Sequence, residues 1–297
     1  MKFIHTADWH LRPDIPACRL DTDWEVTMRN LLQRFMTDLQ KYQSDLDCAV
    51  ELLIVGDIFN TSQQPAWVVN LFLSIIVEAI VFAGNHDFKH RNMDNIENSS
   101  IGHILKNPRY TACVAEKDEG FYQLTNDIML CHRLVLQPGN SELAKFEKGI
   151  GVEELIELAL EENKNVKWIL VGDNHHHFHY ESEEGIHVIN PGIPMVQNAK
   201  MIGETCGYYF VDTDRNLVKF VEVKQDPTLL TDEYLRKEEA HSIGLRSIVE
   251  KLRNTKVEKV DFFGRCDDKS KLLNANSRNL YEDIRDEVIK MNNRKGV

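Results

Sequence analysis

The sequence predicts an α/β fold in which two sheets pack face to face with helices outside. Three observations carry that expectation. Four short apolar runs, Lys2-Phe-Ile-His-Thr-Ala7, Leu52-Leu-Ile-Val55, Ala79-Ile-Val-Phe-Ala83 and Trp168-Ile-Leu-Val171, have the length of buried strands. Stretches with helical periodicity separate the first three, which gives β-α-β-α-β, the pattern of a parallel sheet with crossover helices. Further on, residues 208–211 and 217–223 flank Asp212-Thr-Asp-Arg-Asn216 as a hairpin, so antiparallel strands follow the parallel ones.

In chain order, the first strand ends at Asp8-Trp9-His10, and Leu11-Arg12-Pro13 leads into a loop. Leu31, Leu32, Phe35, Leu39 and Tyr42 recur at helical spacing and predict a helix over 22–44. After the strand ending at Gly56-Asp57, Thr61-Ser62 and Pro65 mark the start of a second helix carrying Trp67, Val68, Leu71, Phe72 and Ile75. It runs almost directly into the strand that ends at Gly84-Asn85-His86-Asp87. Residues 92–111 read as polar loop with a brief helical piece near 101–105. Strands are expected at 121–124 and 128–131, the latter ending at His132, and a loop at 139–150. Val152, Leu155, Ile156, Ala159 and Leu160 predict an amphipathic helix whose Glu-rich face is solvated. The strand ending at Gly172-Asp173-Asn174-His175 follows, then a strand at 186–189 and a turn at Asn190-Pro-Gly192.

Composition shifts near 224–231, which divides the chain into a domain over 1–224 and a small α+β domain over 225–297. The second is expected to hold a helix over 238–253, a strand over 257–263 and a helix over 278–291 with Leu280, Ile284 and Val288 aligned.

At 297 residues, 42% hydrophobic and 28% charged, the chain is an ordinary globular protein able to bury a sizeable core. Its net charge of −12 is uneven: residues 1–223 carry −14 and residues 224–297 carry +2. A basic stripe for nucleic acid is absent from that balance. The six cysteines lack C-x-x-C spacing, no apolar run is long enough for a bilayer, and the N-terminus already reads as a strand. A cytoplasmic, reduced protein with no membrane contact is expected.

The four strand ends each deliver Asp, Asn or His at the edge where open α/β sheets place their ligands. The ordered series D-x-H, G-D, G-N-H-D, H, G-D-x-H points to a single metal site. Imidazole, carboxylate and amide oxygen together suit Mn, Fe or Zn better than Ca. Two such ions about 3.5–4 Å apart form a clamp for in-line displacement at phosphorus. The remaining histidines His5, His90, His103, His187 and His241 are read as ordinary.

Asp8-Trp-His10-Leu11, Gly56-Asp57-Ile-Phe and Gly84-Asn-His-Asp87 resemble the calcineurin-like metallophosphoesterase superfamily, most closely its SbcD branch of DNA-repair nuclease subunits. The resemblance covers about residues 1–224. It implies a four-layer α/β/β/α sandwich and a dinuclear site, usually Mn²⁺. Carried over by motif, Asp8, His10 and His175 would hold one metal, and Asn85, His132 and Asp173 the other, with Asp57 bridging. His86 would contact the scissile phosphate or protonate the leaving oxygen, and Asp87 would orient it. Two departures stand out. The family's closing motif is commonly G-H-x-H, and Asp173 replaces its first His. Arg133 follows His132 where the family usually has Gly. The run His175-His-His-Phe-His179 offers rival ligands one or two positions on.

The resemblance further implies a metal-dependent DNA exonuclease or endonuclease working with an SbcC-like ATPase, as a homodimer and in a compact, phage-type form. The Met and aromatic positions of the early helix are either core or a dimer face. Two other functions remain open: a phosphatase or cyclic-nucleotide phosphodiesterase on small substrates, and a non-catalytic scaffold of the same fold.

Overall fold

A computed structural model describes residues 1–88, 93–115, 120–137, 149–233 and 235–236, without the side chains of 93–95. The expected elements at 238–253, 257–263 and 278–291, and positions 139–148 of the expected loop, lie outside the described residues, as do His90 and His241. The chain divides into compact units Met1–Asp232 and Glu233–Val297. The first unit thus runs past residue 224, and there the Leu20 amide donates to Leu229 O at 2.8 Å and the Thr231 amide to Cys18 O at 2.9 Å.

The first sheet is built on β1 (Lys2–Thr6), β2 (Glu51–Val55), β3 (Ala79–Phe82) and β4 (Tyr110–Cys113), all parallel. The order of the elements follows their numbering because each crossover moves one position outward. β12 (Gly207–Asp212) and β13 (Leu217–Glu222) form the expected hairpin and add antiparallel strands beside β1. The second sheet centres on β9 (Trp168–Gly172), with β6 (Ile128–His132) and β11 (His187–Asn190) parallel on either side. Its edges are antiparallel: β10 (Phe178–Glu181) pairs with β11, and β5 (Tyr122–Gln123) with β6. A separate two-stranded pair joins β7 (Val135–Leu136) to β8 (Ile150–Gly151).

Side-chain alternation divides the interior into three apolar layers. Phe3, Leu53, Val55, Phe82, Leu130, Trp168 and Leu170 fill the space between the sheets. The other face of the first sheet packs on α1 (Trp24–Leu46), α2 (Ala66–Ile75) and α3 (Ser100–Leu105). The outer face of the second packs on α4 (Val152–Glu162). The architecture is therefore α/β/β/α, as expected. Within α1, Trp24, Met28 and Phe35 are buried against the first sheet, so these positions are core. Asp23 begins the helix by accepting the Val26 amide with its side chain, two residues later than expected. Residues 92–111 differ more: they contain a 3₁₀ segment, Met93–Asn98, and the start of β4.

Candidate metal centre

Strands β1, β2, β3, β6 and β9 all end at one edge of the sandwich, and their following turns supply the polar cluster. Parallel pairing explains the alignment: His132 lies beside Gly172 in register, and Val55 beside Phe82. Asp8, His10, Asp57 and Asp173 all occupy the left-handed region, with φ of 53°, 45°, 49° and 80°. Asp and His tolerate that region better than branched or bulky residues, and strain of this sort gathers at functional sites. Trp9 explains the D-x-H spacing. Its indole is fully buried against Phe35 and donates to Thr6 Oγ1 at 2.7 Å. With Trp9 anchored in the helix layer, Asp8 and His10 are left at the edge.

His10 Nε2 and His175 Nε2 lie 3.3 Å apart, and with an Asp8 oxygen they form a compact three-ligand group. A second group joins Asp8, Asp57 and His132, and a third joins His10, Asp57 and His86. His132 Nε2 is 3.3 Å from Asp57, 3.7 Å from Asp173 and 3.9 Å from Asp8. Its Nδ1 bonds Val55 O at 3.0 Å, which turns Nε2 into the cluster. Asn85 donates from Nδ2 to Asp173 Oδ1 at 3.0 Å. The Asp173 amide donates to Asp8 Oδ2 at 3.1 Å, and the His86 amide to Asp57 Oδ1 at 2.9 Å.

Asp87 has partners other than those expected from the sequence. Its carboxylate accepts from the amides of Gly84 (3.0 Å), Phe59 (3.1 Å) and Ile58 (3.3 Å), so it ties the β3 turn to the β2 turn. The described contact that fixes the His86 ring comes from Asn60, whose backbone oxygen lies 2.9 Å from Nδ1. Burial, then the neighbouring Asp57 charge, pushes the Asp87 carboxyl up to about 7 against the pull of those amides.

The electrostatics favour a cation. Burial lowers His10 to about 3, and it lowers His175 as well, so both rings are neutral with lone pairs available. Burial raises Asp57, but His132, His10 and His86 outweigh it and hold the carboxylate below its usual range. The opposite balance applies at His132: burial lowers it, yet Asp57, Asp8 and Asp173 hold it well above an ordinary histidine. Burial also drives Asp8 well above the usual carboxylate range. Both shifts reflect a concentration of buried negative charge that favours a cation among these groups. Asp8 Oδ1, Asn85 Oδ1 and His132 Nε2 are buried without a well-formed hydrogen bond. Three buried atoms able to ligate, all in one cluster and none in a well-formed hydrogen bond, fit a divalent metal site.

The positions sequence reasoning singled out, Asp8, His10, Asp57, Asn85, His86, His132, Asp173 and His175, therefore all reach this edge, while Asp87 lies beneath it as a backbone clamp. Of the histidine run, His175 faces His10. His176 instead pairs with Glu204 at 3.3 Å, His177 stacks on Phe220, and His179 bonds His187 at 2.9 Å. Sequence reasoning missed the residues that hold this loop. Asn190 donates to Asn174 O at 2.6 Å and to His176 O at 2.8 Å, the carbonyls on either side of His175. Its only signal was the Asn-Pro-Gly turn.

A profile of calcineurin-like phosphoesterases matches residues 1–187. Among curated proteins, the D subunit of nuclease SbcCD from Staphylococcus epidermidis is 29% identical over 99 residues, covering 31% of this chain and 24% of that protein. Its counterpart of the same name from Escherichia coli K12 is 27% identical over 94 residues, covering 29% of this chain and 21% of that protein. The matched stretch thus spans about a quarter or less of these relatives. Solved structures that align include a novel archaeal phosphodiesterase, at 13% identity and TM-score 0.41 over 75% of this chain and 100% of that one. A 5′-nucleotidase precursor from Thermus thermophilus aligns at 14% identity and TM-score 0.40, over 84% and 59%. With the family profile matched over more than half its length, the chain belongs to the calcineurin-like phosphoesterases.

Proposed function

We propose that the protein is a divalent-metal-dependent phosphodiesterase acting on DNA, the nuclease subunit of an SbcCD-like pair with an ATPase. The observation that carries this reading is the convergence of Asp8, His10, Asp57, His132 and His175 at one edge, together with Asp8 Oδ1, Asn85 Oδ1 and His132 Nε2, buried there without a well-formed hydrogen bond. In this reading Asp8, His10 and His175 would hold one cation, and Asn85, His132 and Asp173 the other, with Asp57 available to both. Two bound cations, with Mn²⁺ proposed, would supply Lewis acidity toward the phosphodiester and make water acidic enough to attack near neutral pH.

The side chains do the rest. Asn60 O fixes the His86 imidazole through Nδ1, and the exposed ring is grouped with His10 and Asp57, leaving Nε2 for another partner. From there Nε2 can contact a phosphate oxygen or deliver a proton to the leaving oxygen. The partial match to the D subunit of nuclease SbcCD supports DNA as the substrate over small phosphoesters.

The test compares Mn²⁺-dependent hydrolysis of linear duplex DNA with that of bis-p-nitrophenyl phosphate, with and without chelator. Hydrolysis of both substrates, abolished by chelator, is expected. His86→Asn should lower turnover by roughly 10²–10⁴-fold while Mn²⁺ content measured by elemental analysis stays unchanged. Cleavage of the small diester alone would favour a small-substrate phosphodiesterase. Full turnover in excess chelator would remove metal chemistry from the account.

A further inference from the structure

The cluster holds one contact that assigning ligands does not explain. Asp173 Oδ1 lies 3.0 Å from Asn85 Nδ2, across 88 residues of sequence. An amide can face a metal with its oxygen or, flipped, with its NH₂, and only the oxygen is a ligand. If Asn85 were flipped, two oxygens would meet at that distance, one of them on a carboxylate. Asp173 therefore permits a single orientation. In that orientation Asn85 Oδ1 is buried in the cluster with no hydrogen-bond partner. Asp173 is itself held for this task. It sits in the left-handed region at φ 80°, and its amide is tied to Asp8 Oδ2.

We propose that Asp173 is a positioning residue for Asn85: its carboxylate locks the amide so that Oδ1 faces the second cation. This rests on the metal-centre reading above and adds to it a role that a histidine at the same place does not fill in the same way. A neutral imidazole can accept only one hydrogen bond, at a ring nitrogen, and it lacks the negative charge that makes this contact a charge-assisted one. Asp173 and Asn85 thus act as a pair, and the pair keeps the second site rich in oxygen donors, a set that suits Mn²⁺ and Mg²⁺. The lock is separable from any direct bond between Asp173 and the metal, because a carboxylate at position 85 would show the metal an oxygen whichever way it turned.

That difference sets the experiment, a double-mutant cycle read as Mn²⁺ binding by titration calorimetry and as the spin-coupled Mn pair in electron paramagnetic resonance. Asp173→Gly removes the carboxylate without penalising the left-handed backbone. It should weaken the second Mn²⁺ by roughly 10–100-fold, the usual effect of losing a group that orients a ligand. In an Asn85→Asp background the same Asp173→Gly change should cost clearly less than in the Asn85 background, since only the direct contact of Asp173 with the cation is lost and no amide remains to be oriented. Asp173→Asn, which keeps an acceptor oxygen and the backbone preference, should fall between wild type and Asp173→Gly, and it guards against a misfolded glycine variant. An equal loss in both backgrounds would leave Asp173 no role beyond its direct contact with the cation and overturn the proposal. So would unchanged affinity in Asp173→Gly. A wild-type protein that binds no second Mn²⁺ would instead remove the metal-centre reading itself, and the proposal with it.

Discussion

His5 lies three residues before Asp8 on the face of β1 that also carries Phe3 and Ala7, and its side chain is fully buried. Neither ring nitrogen makes a well-formed hydrogen bond. Burial lowers its pKa to about 3, offset only in part by the Val171 backbone. A histidine held neutral in this way makes folding depend on pH with a definite sign. Above about pH 6.5, the ordinary value, both folded and unfolded chains carry a neutral ring and the group adds no pH dependence. Between there and the folded value near 3, the unfolded chain takes up a proton that the folded chain refuses. Stability then falls with pH, by up to about 1.4 kcal/mol per unit from this residue. His5→Leu should remove that slope. In chelator, the drop in urea midpoint between neutral and mildly acid pH should be smaller in the variant than in wild type. An equal drop would place the acid sensitivity elsewhere, for instance in the carboxylates of the cluster.

At the scale of elements, the strand-end turns do the positioning, and Gly56 shows how little room they leave. Its φ is +85°, and a Cβ there would collide with the His132 ring. That ring must stay in place for Nδ1 to reach Val55 O. Gly56→Ala should therefore cost about 1–3 kcal/mol of stability from backbone strain and displace His132. If the proposed two-cation site holds, the expected outcome is a lowered Tm with one Mn²⁺ bound in place of two; a variant with both ions and normal Tm would show that the turn can relax. These turns were legible in the sequence because each closes a buried apolar run, and a polar group has few structural reasons to stand there. Other elements left weaker signals. β4 (Tyr-Thr-Ala-Cys) and β10 (Phe-His-Tyr-Glu) are four-residue edge strands with partly exposed faces, and β7 and β8 have two residues each. None is long enough to show a period. The contacts that complete the site were hidden for another reason. Asn60 acts through a backbone oxygen, which carries no mark of residue type, and Asp87 spends its carboxylate on backbone amides instead of on the adjacent histidine.

At the scale of the whole molecule, charge limits what the chain can do alone. Its net charge is −12, and residues 1–223, which hold all the candidate metal ligands, carry −14 of it against +2 for the remainder. Duplex DNA gains most of its nonspecific affinity for proteins from counterions released by Lys and Arg contacts. A net acidic excess works against such contacts, so in the proposed function bound cations and a basic partner would supply the attraction. This is the physical reason for pairing the nuclease with an ATPase in the proposed function. The expected outcome is that the isolated chain in chelator binds duplex DNA no more tightly than about 10⁻⁶ M at physiological salt, the tight end of nonspecific binding. Adding an SbcC-like ATPase should tighten binding and introduce a steep dependence on salt, while hydrolysis of bis-p-nitrophenyl phosphate changes little with either. Fluorescence anisotropy on labelled duplex, run across a salt series, reads both quantities. Submicromolar binding by the chain alone, with a slope equivalent to several phosphate contacts, would mean that a basic face exists despite the acidic average, and the electrostatic case for a partner would fail.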